Sequence, residues 1–207
     1  MKRKPMKLLL TGFEPFGGSD INPSEQVVNT LTDKEIKGIE LITAILPVDR
    51  EAGPDKLIRA VEKSQPEAVI CLGEARGRMA INIERLAVNL MDYRIEDNVG
   101  NLIQDQPIIP DGPPAYFCTL PVRKLMEAVQ KAGVPAQLSL SAGAFLCNQV
   151  IYTLLHYLDT HKINIPAGFI HLPSLPSQIA DEQPVKPSME LHTQVKGIEA
   201  VIRVVKT

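Results

Sequence analysis

The sequence predicts a three-layer α/β/α sandwich around a mostly parallel, mixed central sheet. Strand-sized apolar runs at 8–10, 68–72 and 169–172 alternate with stretches whose apolar residues recur at helical spacing. No internal repeat and no linker interrupts that alternation, so residues 1–207 are read as a single domain.

Each element has its own signal. Residues 7–13 form an apolar run ending in Thr-Gly-Phe, which suits a buried strand entering the loop at 14–18. Asn22-Pro23-Ser24-Glu25 then reads as a helix start. It has an N-cap Asn, Pro at the first helical position and an acidic third residue, with Val27, Val28 and Leu31 as the apolar face. A second strand is expected at 40–48. A helix follows at 51–65, with Leu57, Ile58 and Val61 inward and Pro66 closing it. Residues 68–72 form a buried strand ending at Gly73, and 79–90 alternates in part through Ile81, Ile83, Leu86 and Val88, as a strand or a strand with a break.

The stretch 92–114 holds Pro107, Pro110, Pro113 and Pro114 and is the longest irregular segment. Such loops are usually functional or disordered. A short strand at 116–119, a helix at 121–131 and a strand at 137–140 follow. The helix at 146–158 buries Val150, Ile151, Leu154, Leu155 and Leu158. A strand at 168–172 and a C-terminal helix at 188–205 complete the pattern.

Composition narrows the function classes. The chain is 44% hydrophobic and 22% charged with a net charge of -2, ordinary for a soluble globular protein. Without a basic cluster, nucleic acid is not expected as a partner. No apolar run is long enough to span a membrane. The basic start, Met1 to Lys4, mimics a signal peptide but lacks an adequate apolar region and a cleavage site, so it reads as a frayed tail. Three scattered cysteines, Cys71, Cys118 and Cys147, suit neither a disulfide scaffold nor a zinc site. The expected location is cytoplasmic.

In an open α/β sheet a site lies beyond the carboxyl ends of the strands. The loop 12–18, the loop 73–78, the stretch before Cys147, and His171 all fall at such ends. Cys147 follows the small residues Ser141-Ala142-Gly143-Ala144 near a helix start. A helix N-terminus stabilises a thiolate by roughly 0.3–1 kcal/mol, up to ~2 when partly buried. A small buried core residue is the plainer alternative. His171, inside Phe169-Ile170-His171-Leu172-Pro173, suits a general base on a rigid strand, or equally a satisfied core histidine. Glu84 interrupts an apolar strand and suits either the third member of a triad or an exposed residue paired with Arg85 or Arg94. Gly73-Glu74-Ala75-Arg76-Gly77-Arg78 suggests an anion cradle, and with it a phosphate- or nucleoside-binding enzyme, but it matches neither nucleotide-binding fingerprint.

Taken together, the segments resemble the type I pyroglutamyl peptidases (pyrrolidone-carboxylate peptidases). The resemblance runs nearly the length of the chain and in order. It is carried by Leu-Thr-Gly-Phe-Glu-Pro-Phe-Gly-Gly (10–18), Asn-Pro-Ser (22–24), Glu-Arg-Leu-Ala-Val-Asn (84–89) and Arg-Ile-Glu-Asp-Asn-Val-Gly-Asn (94–101). Pro-Ala-Tyr-Phe-Cys-Thr-Leu-Pro (114–121), Ser-Ala-Gly-Ala-Phe-Leu-Cys-Asn (141–148), Gly-Phe-Ile-His-Leu-Pro (168–173) and Pro-Ser-Met (187–189) complete it.

The resemblance implies a cysteine peptidase that removes N-terminal pyroglutamate from peptides through a thioester. Cys147 would be the nucleophile, His171 the general base and Glu84 its orienting partner, with no metal or cofactor. It implies a lactam pocket of Phe13 and Phe16, with Phe145, Leu146 and Ile95 nearby, and Arg94 with the Cys147 backbone N–H at the oxyanion. Glu74 departs from the pattern, because some relatives place Gln there, at the lactam. A carboxylate accepts from the lactam N–H but cannot donate to its carbonyl unless protonated. A homotetramer is implied by the same resemblance. A catalytically silent binder of pyroglutamate is the remaining alternative, disfavoured by the intact Cys, His and Glu.

Overall fold

A computed structural model describes residues 4–206; Met1 to Arg3, part of the expected tail, lie outside the described residues. The chain runs β1 (Met6–Phe13), α1 (Pro23–Thr32), β2 (Ile39–Leu46), α2 (Ala52–Ser64), β3 (Ala68–Glu74) and β4 (Ile81–Glu84). It continues through β5 (Leu86–Val88), β6 (Ala115–Phe117), α3 (Val122–Lys131), β7 (Ala136–Ser139) and α4 (Leu146–Thr160). β8 (Ala167–Leu172), α5 (Pro176–Ile179) and α6 (Leu191–Val205) follow.

Six strands form one sheet in the order β2-β1-β3-β8-β4-β7. β2, β1, β3 and β8 are mutually parallel, β4 runs antiparallel to β8, and β7 is parallel to β4. The sheet is therefore mostly parallel and mixed, as expected.

Both faces of this sheet are covered, which explains why its central strands read as unbroken apolar runs. Successive side chains point to opposite faces. Leu8, Leu10, Ile70, Leu72 and Ile170 pack with α1, α3 and α6 through Val27, Leu125 and Ile198. Leu9, Val69, Cys71 and Phe169 pack with α2 and α4 through Leu57, Val150 and Leu154.

The helix start at 22–25 forms as its sequence requires: Asn22 Oδ1 accepts from the Ser24 N–H at 2.9 Å, with Pro23 opening α1. α2 is capped by Gln65, left-handed at φ 47°, immediately before Pro66. The 79–90 segment does break. β4 stays in the main sheet, while β5 leaves it after Arg85 to pair with β6 in a separate two-stranded ribbon. At the break the Arg85 N–H donates to the Ser139 carbonyl, and the Arg85 carbonyl accepts from the Cys118 N–H, each at 2.9 Å. The C-terminal helix begins at Leu191 rather than 188, and the short α5, opened by Pro176 with Gln178 at its third position, was not expected. No helix among the described residues is long and apolar enough to cross a membrane.

Candidate active site

Strand register brings the candidate segments to one edge. Thr11 of β1 pairs with Cys71 of β3, and Gly73 of β3 with His171 of β8. The loops after β1 and β3 and the end of β8 therefore open on the same side. α4 begins there too, with Cys147 as its second residue and no side-chain cap on its first turn.

The residue after the cysteine holds that helix end in place. Asn148 is fully buried, its Nδ2 donating to the carbonyls of Val88 (2.9 Å) and Leu90 (3.0 Å) and its Oδ1 accepting from the Val88 N–H (2.9 Å). In the sequence it stands only within the motif at 141–148. The usable signal is an Asn in the first turn, ahead of the apolar run Val150 to Leu155.

Cys147 is half-buried, and its sulfur turns inward against β3. A methyl group on Gly73 would lie 2.8 Å from Sγ and 2.7 Å from the Phe169 ring. Burial pushes the Cys147 thiol up to about 12, and the charges of Glu84 and Glu74 add to the shift. Its own backbone N–H pulls the other way. Burial likewise pushes Cys71 and Cys118 up to about 12.

His171 Nδ1 lies 2.8 Å from Glu84 Oε1, with Glu84 fully buried and His171 nearly so. Because β4 runs against β8 with Asn82 opposite His171, Glu84 reaches the ring diagonally, from two residues further along its strand. The carboxyl-end rule that located Cys147 and His171 does not place Glu84. Glu84 is not the exposed residue that the alternative reading described, and its cation is neither Arg85 nor Arg94. Arg78 Nη1 donates to Oε1 at 2.9 Å. The Glu84 oxygen that accepts from Arg78 is the one that faces His171 Nδ1, so a ring N–H at Nδ1 would donate to it and turn Nε2 away from the acid.

The two arginines of the glycine-rich loop are thus committed to carboxylates. Arg78 goes to Glu84, and Arg76 pairs with Glu182 and donates to the Gln178 carbonyl. This removes the pair that had suggested a phosphate cradle.

Cys147 and His171 line a cleft of about 840 Å³ together with Phe16, Glu74, Arg94 and Ile95. An adjoining recess of about 10 Å³ is lined by Phe13, Phe16, Phe145, Leu146 and Cys147, room for roughly one water. Phe16 and Phe145 rings lie 6.0 Å apart, and Tyr93 meets Phe145 edge-on at 4.7 Å. Phe13 is buried and packs on Phe169 at 6.5 Å, so it serves the core as well as the recess. The helix start fixes this loop, since Ser24 Oγ accepts from the Phe13 N–H at 2.9 Å and Asn22 Nδ2 donates to the Glu14 carbonyl at 3.0 Å. Gly17 and Gly18 then turn the chain at φ 61° and 78°.

Glu74 ends β3 and borders both cavities. Its carboxylate accepts from Ser174 Oγ at 2.7 Å and from Gln178 Nε2 at 3.2 and 3.1 Å. Sequence reasoning missed both partners: Gln178 lies on the unexpected α5, and Ser174 just before it. Arg94 lines the cleft with its side chain exposed.

Comparison with known proteins finds a family match over nearly the whole chain. The sequence model described as pyroglutamyl peptidase matches residues 6–207. A pyrrolidone-carboxylate peptidase of Vibrio vulnificus is 48% identical over 196 residues, 95% of this chain and 91% of the relative. One from Caldanaerobacter subterraneus subsp. tengcongensis is 44% identical over 200 residues, 97% and 98% of the two chains. Among solved structures, pyroglutamyl peptidase I from Bacillus amyloliquefaciens superposes with a TM-score of 0.94 at 36% identity, covering 98% of this chain and 96% of that one. A mutant pyrrolidone carboxyl peptidase from Pyrococcus furiosus gives 0.93 at 42% identity, covering 97% and 98%.

Proposed function

The chain belongs to the pyroglutamyl peptidase family as a type I hydrolase, and from that premise we propose that it cleaves N-terminal pyroglutamate with a Cys147–His171–Glu84 triad through a thioester. The observation that carries the reading is the buried 2.8 Å contact between His171 Nδ1 and Glu84, with the ring and Cys147 lining one cleft.

The lactam ring settles against Phe13, Phe16, Ile95, Phe145 and Leu146. Pyroglutamate has no charge and no free amine, so apolar walls and a few hydrogen bonds are what its recognition needs. The recess opens by displacement of Phe16 and Phe145, since about 10 Å³ does not hold a five-membered ring. Glu74 accepts from the lactam N–H.

His171 Nε2 takes the proton of Cys147 as Sγ attacks the pyroglutamyl carbonyl. With the thiol pushed up to about 12, transfer accompanies attack rather than preceding it. The oxyanion is met by the Cys147 N–H and by Arg94, each donor contributing ~2.7–4 kcal/mol. Collapse expels the shortened peptide, whose amine takes the proton from His171. Water, deprotonated by His171, then hydrolyses the thioester and restores the thiol. Glu84 stabilises the imidazolium in both steps.

The chemistry is tested by rapid acid quench of a pyroglutamyl substrate followed by peptide mapping. One pyroglutamyl group added to the Cys147 peptide is the expected result. Turnover with no adduct at any quench time, together with retained activity after alkylation, would sink the thioester route. The homotetramer and the cytoplasmic location remain part of the proposal. Val99 (62% exposed) and Leu102 (50%) of the 92–114 stretch are its candidate contact residues, and light scattering on purified protein reads the assembly directly.

A further inference from the structure

Arg78 was set aside with the anion cradle, yet its position ties it to the chemistry. Gly77, at φ 86°, turns the loop between β3 and β4 so that Arg78 folds back on the strand that follows. Its Nη1 donates to Glu84 Oε1 at 2.9 Å and to Ser139 Oγ at 3.2 Å, and its Nη2 donates to the Ser141 carbonyl at 2.9 Å. The oxygen it takes is the one facing His171. Glu84 Oε2 is buried with no hydrogen-bond partner among the described residues. One carboxylate oxygen therefore serves a cation and the imidazole together.

Resting on the triad reading, we propose that Arg78 is a positioning residue that sets the protonation of His171 and fixes the 139–143 loop ahead of the nucleophile. Charge balance explains the first part. With Arg78 and Glu84 both ionised, a neutral His171 leaves the three groups with no net charge, and a protonated one leaves them at +1. Without the guanidinium the balance reverses: a neutral ring leaves a lone buried carboxylate, and only the imidazolium compensates it. Arg78 thus favours the neutral ring, the form that accepts a proton from a thiol. The other titratable groups around the cleft do not replace it: Arg76 and Lys186 pair with Glu182, and Arg94 and Glu96 are exposed to solvent. Cys147, on α4, Cys71, on β3, and Cys118, after β6, are neutral thiols. The Glu74 carboxylate is held by Ser174 and Gln178.

The second part follows from the same side chain. Ser139 ends β7 and Ser141 opens the loop that leads through Gly143 to α4. One guanidinium therefore links the orienting acid to the segment that delivers Cys147.

The test compares wild type, Arg78→Gln and Arg78→Lys, each checked for folding by circular dichroism, with Cys147→Ser as the control for the triad. The acid limb of kcat/KM on a pyroglutamyl amide should move up by about 1 pH unit or more in Arg78→Gln. In Arg78→Lys, which keeps the charge, it should stay near the wild-type position. Imidazole NMR of His171 in the Cys147→Ser background, with and without Arg78→Gln, should show the same upward shift without turnover. A uniform loss of activity with the limb and the NMR titration unmoved overturns the role of Arg78 and leaves the triad standing. Full activity in Cys147→Ser overturns the triad, and this proposal with it.

Discussion

The sulfur of Cys147 sits against Gly73, close enough that a single methyl group on that residue would come within 2.8 Å of it. Gly73 is also the residue paired with His171 in the sheet, so one position without a side chain leaves room for the Cys147 sulfur at the strand end that carries His171. Gly73→Ala has no empty direction to relax into, since the Phe169 ring closes the other side at 2.7 Å. Overpacking of this kind costs about 1–3 kcal/mol. Displacing the sulfur by even ~1 Å lowers turnover about a hundredfold. Steady-state kinetics and a thermal melt on Gly73→Ala check both, and an active, unshifted variant would mean the sulfur is free to move.

The raised thiol predicts how the free enzyme meets alkylating agents. Burial first, then Glu84 and Glu74, push Cys147 up to about 12, so the thiolate is scarce at neutral pH. Iodoacetamide inactivation of substrate-free protein should then quicken about tenfold per pH unit through the neutral range. In Glu74→Gln one of the two opposing charges is gone, and the whole curve should move to lower pH. A plateau below pH 8 would instead reveal a thiolate–imidazolium pair already formed.

Cys71 makes a prediction about stability rather than rate. It is fully buried, and its thiol is raised from 9.0 to about 12 by desolvation. Below pH 9 the thiol is neutral folded or unfolded. Above it the unfolded chain ionises first, so stability falls between pH 9 and 12. The slope for this one group is about 1.4 kcal/mol per pH unit. Urea midpoints of Cys71→Ala should fall less steeply over that window than those of the wild type; parallel curves would refute the assignment.

Asn148 ties α4 to β5 with three buried hydrogen bonds. Asn148→Ala leaves the Val88 and Leu90 groups without partners, which costs about 3 kcal/mol. Because the same bonds fix the start of α4, kcat should drop more than KM rises. A destabilised variant with unchanged kcat would show that the helix end keeps its place without them.

Much of this was legible in the sequence because local chemistry decides it. Asn22-Pro23-Ser24 specified the start of α1, and the unbroken apolar runs specified strands buried on both faces. Features set by distant pairing were not. The antiparallel course of β4 depends on which neighbour it joins, and the exit of β5 after Arg85 depends on a ribbon partner about thirty residues away. Arg78 lies in the loop after the Gly77 turn, outside the strand that carries Glu84, so no periodicity links the two and Arg78 reads as an anion ligand instead. Cys147 and His171 were visible as candidates but could not be ranked, since a buried Cys on an apolar helix and a His in a buried strand look the same when they merely pack. The resemblance to a family is what ranks them, and the structure adds that His171 contacts Glu84.

The most direct measurement is hydrolysis of a pyroglutamyl-linked fluorogenic amide by wild type and Cys147→Ser under reducing conditions, with a prolyl amide as control. The account predicts turnover of the pyroglutamyl amide by the wild type alone, a loss of at least about a thousandfold in Cys147→Ser, and no hydrolysis of the prolyl amide. Comparable turnover by the folded serine variant, or none by the folded wild type, would contradict it.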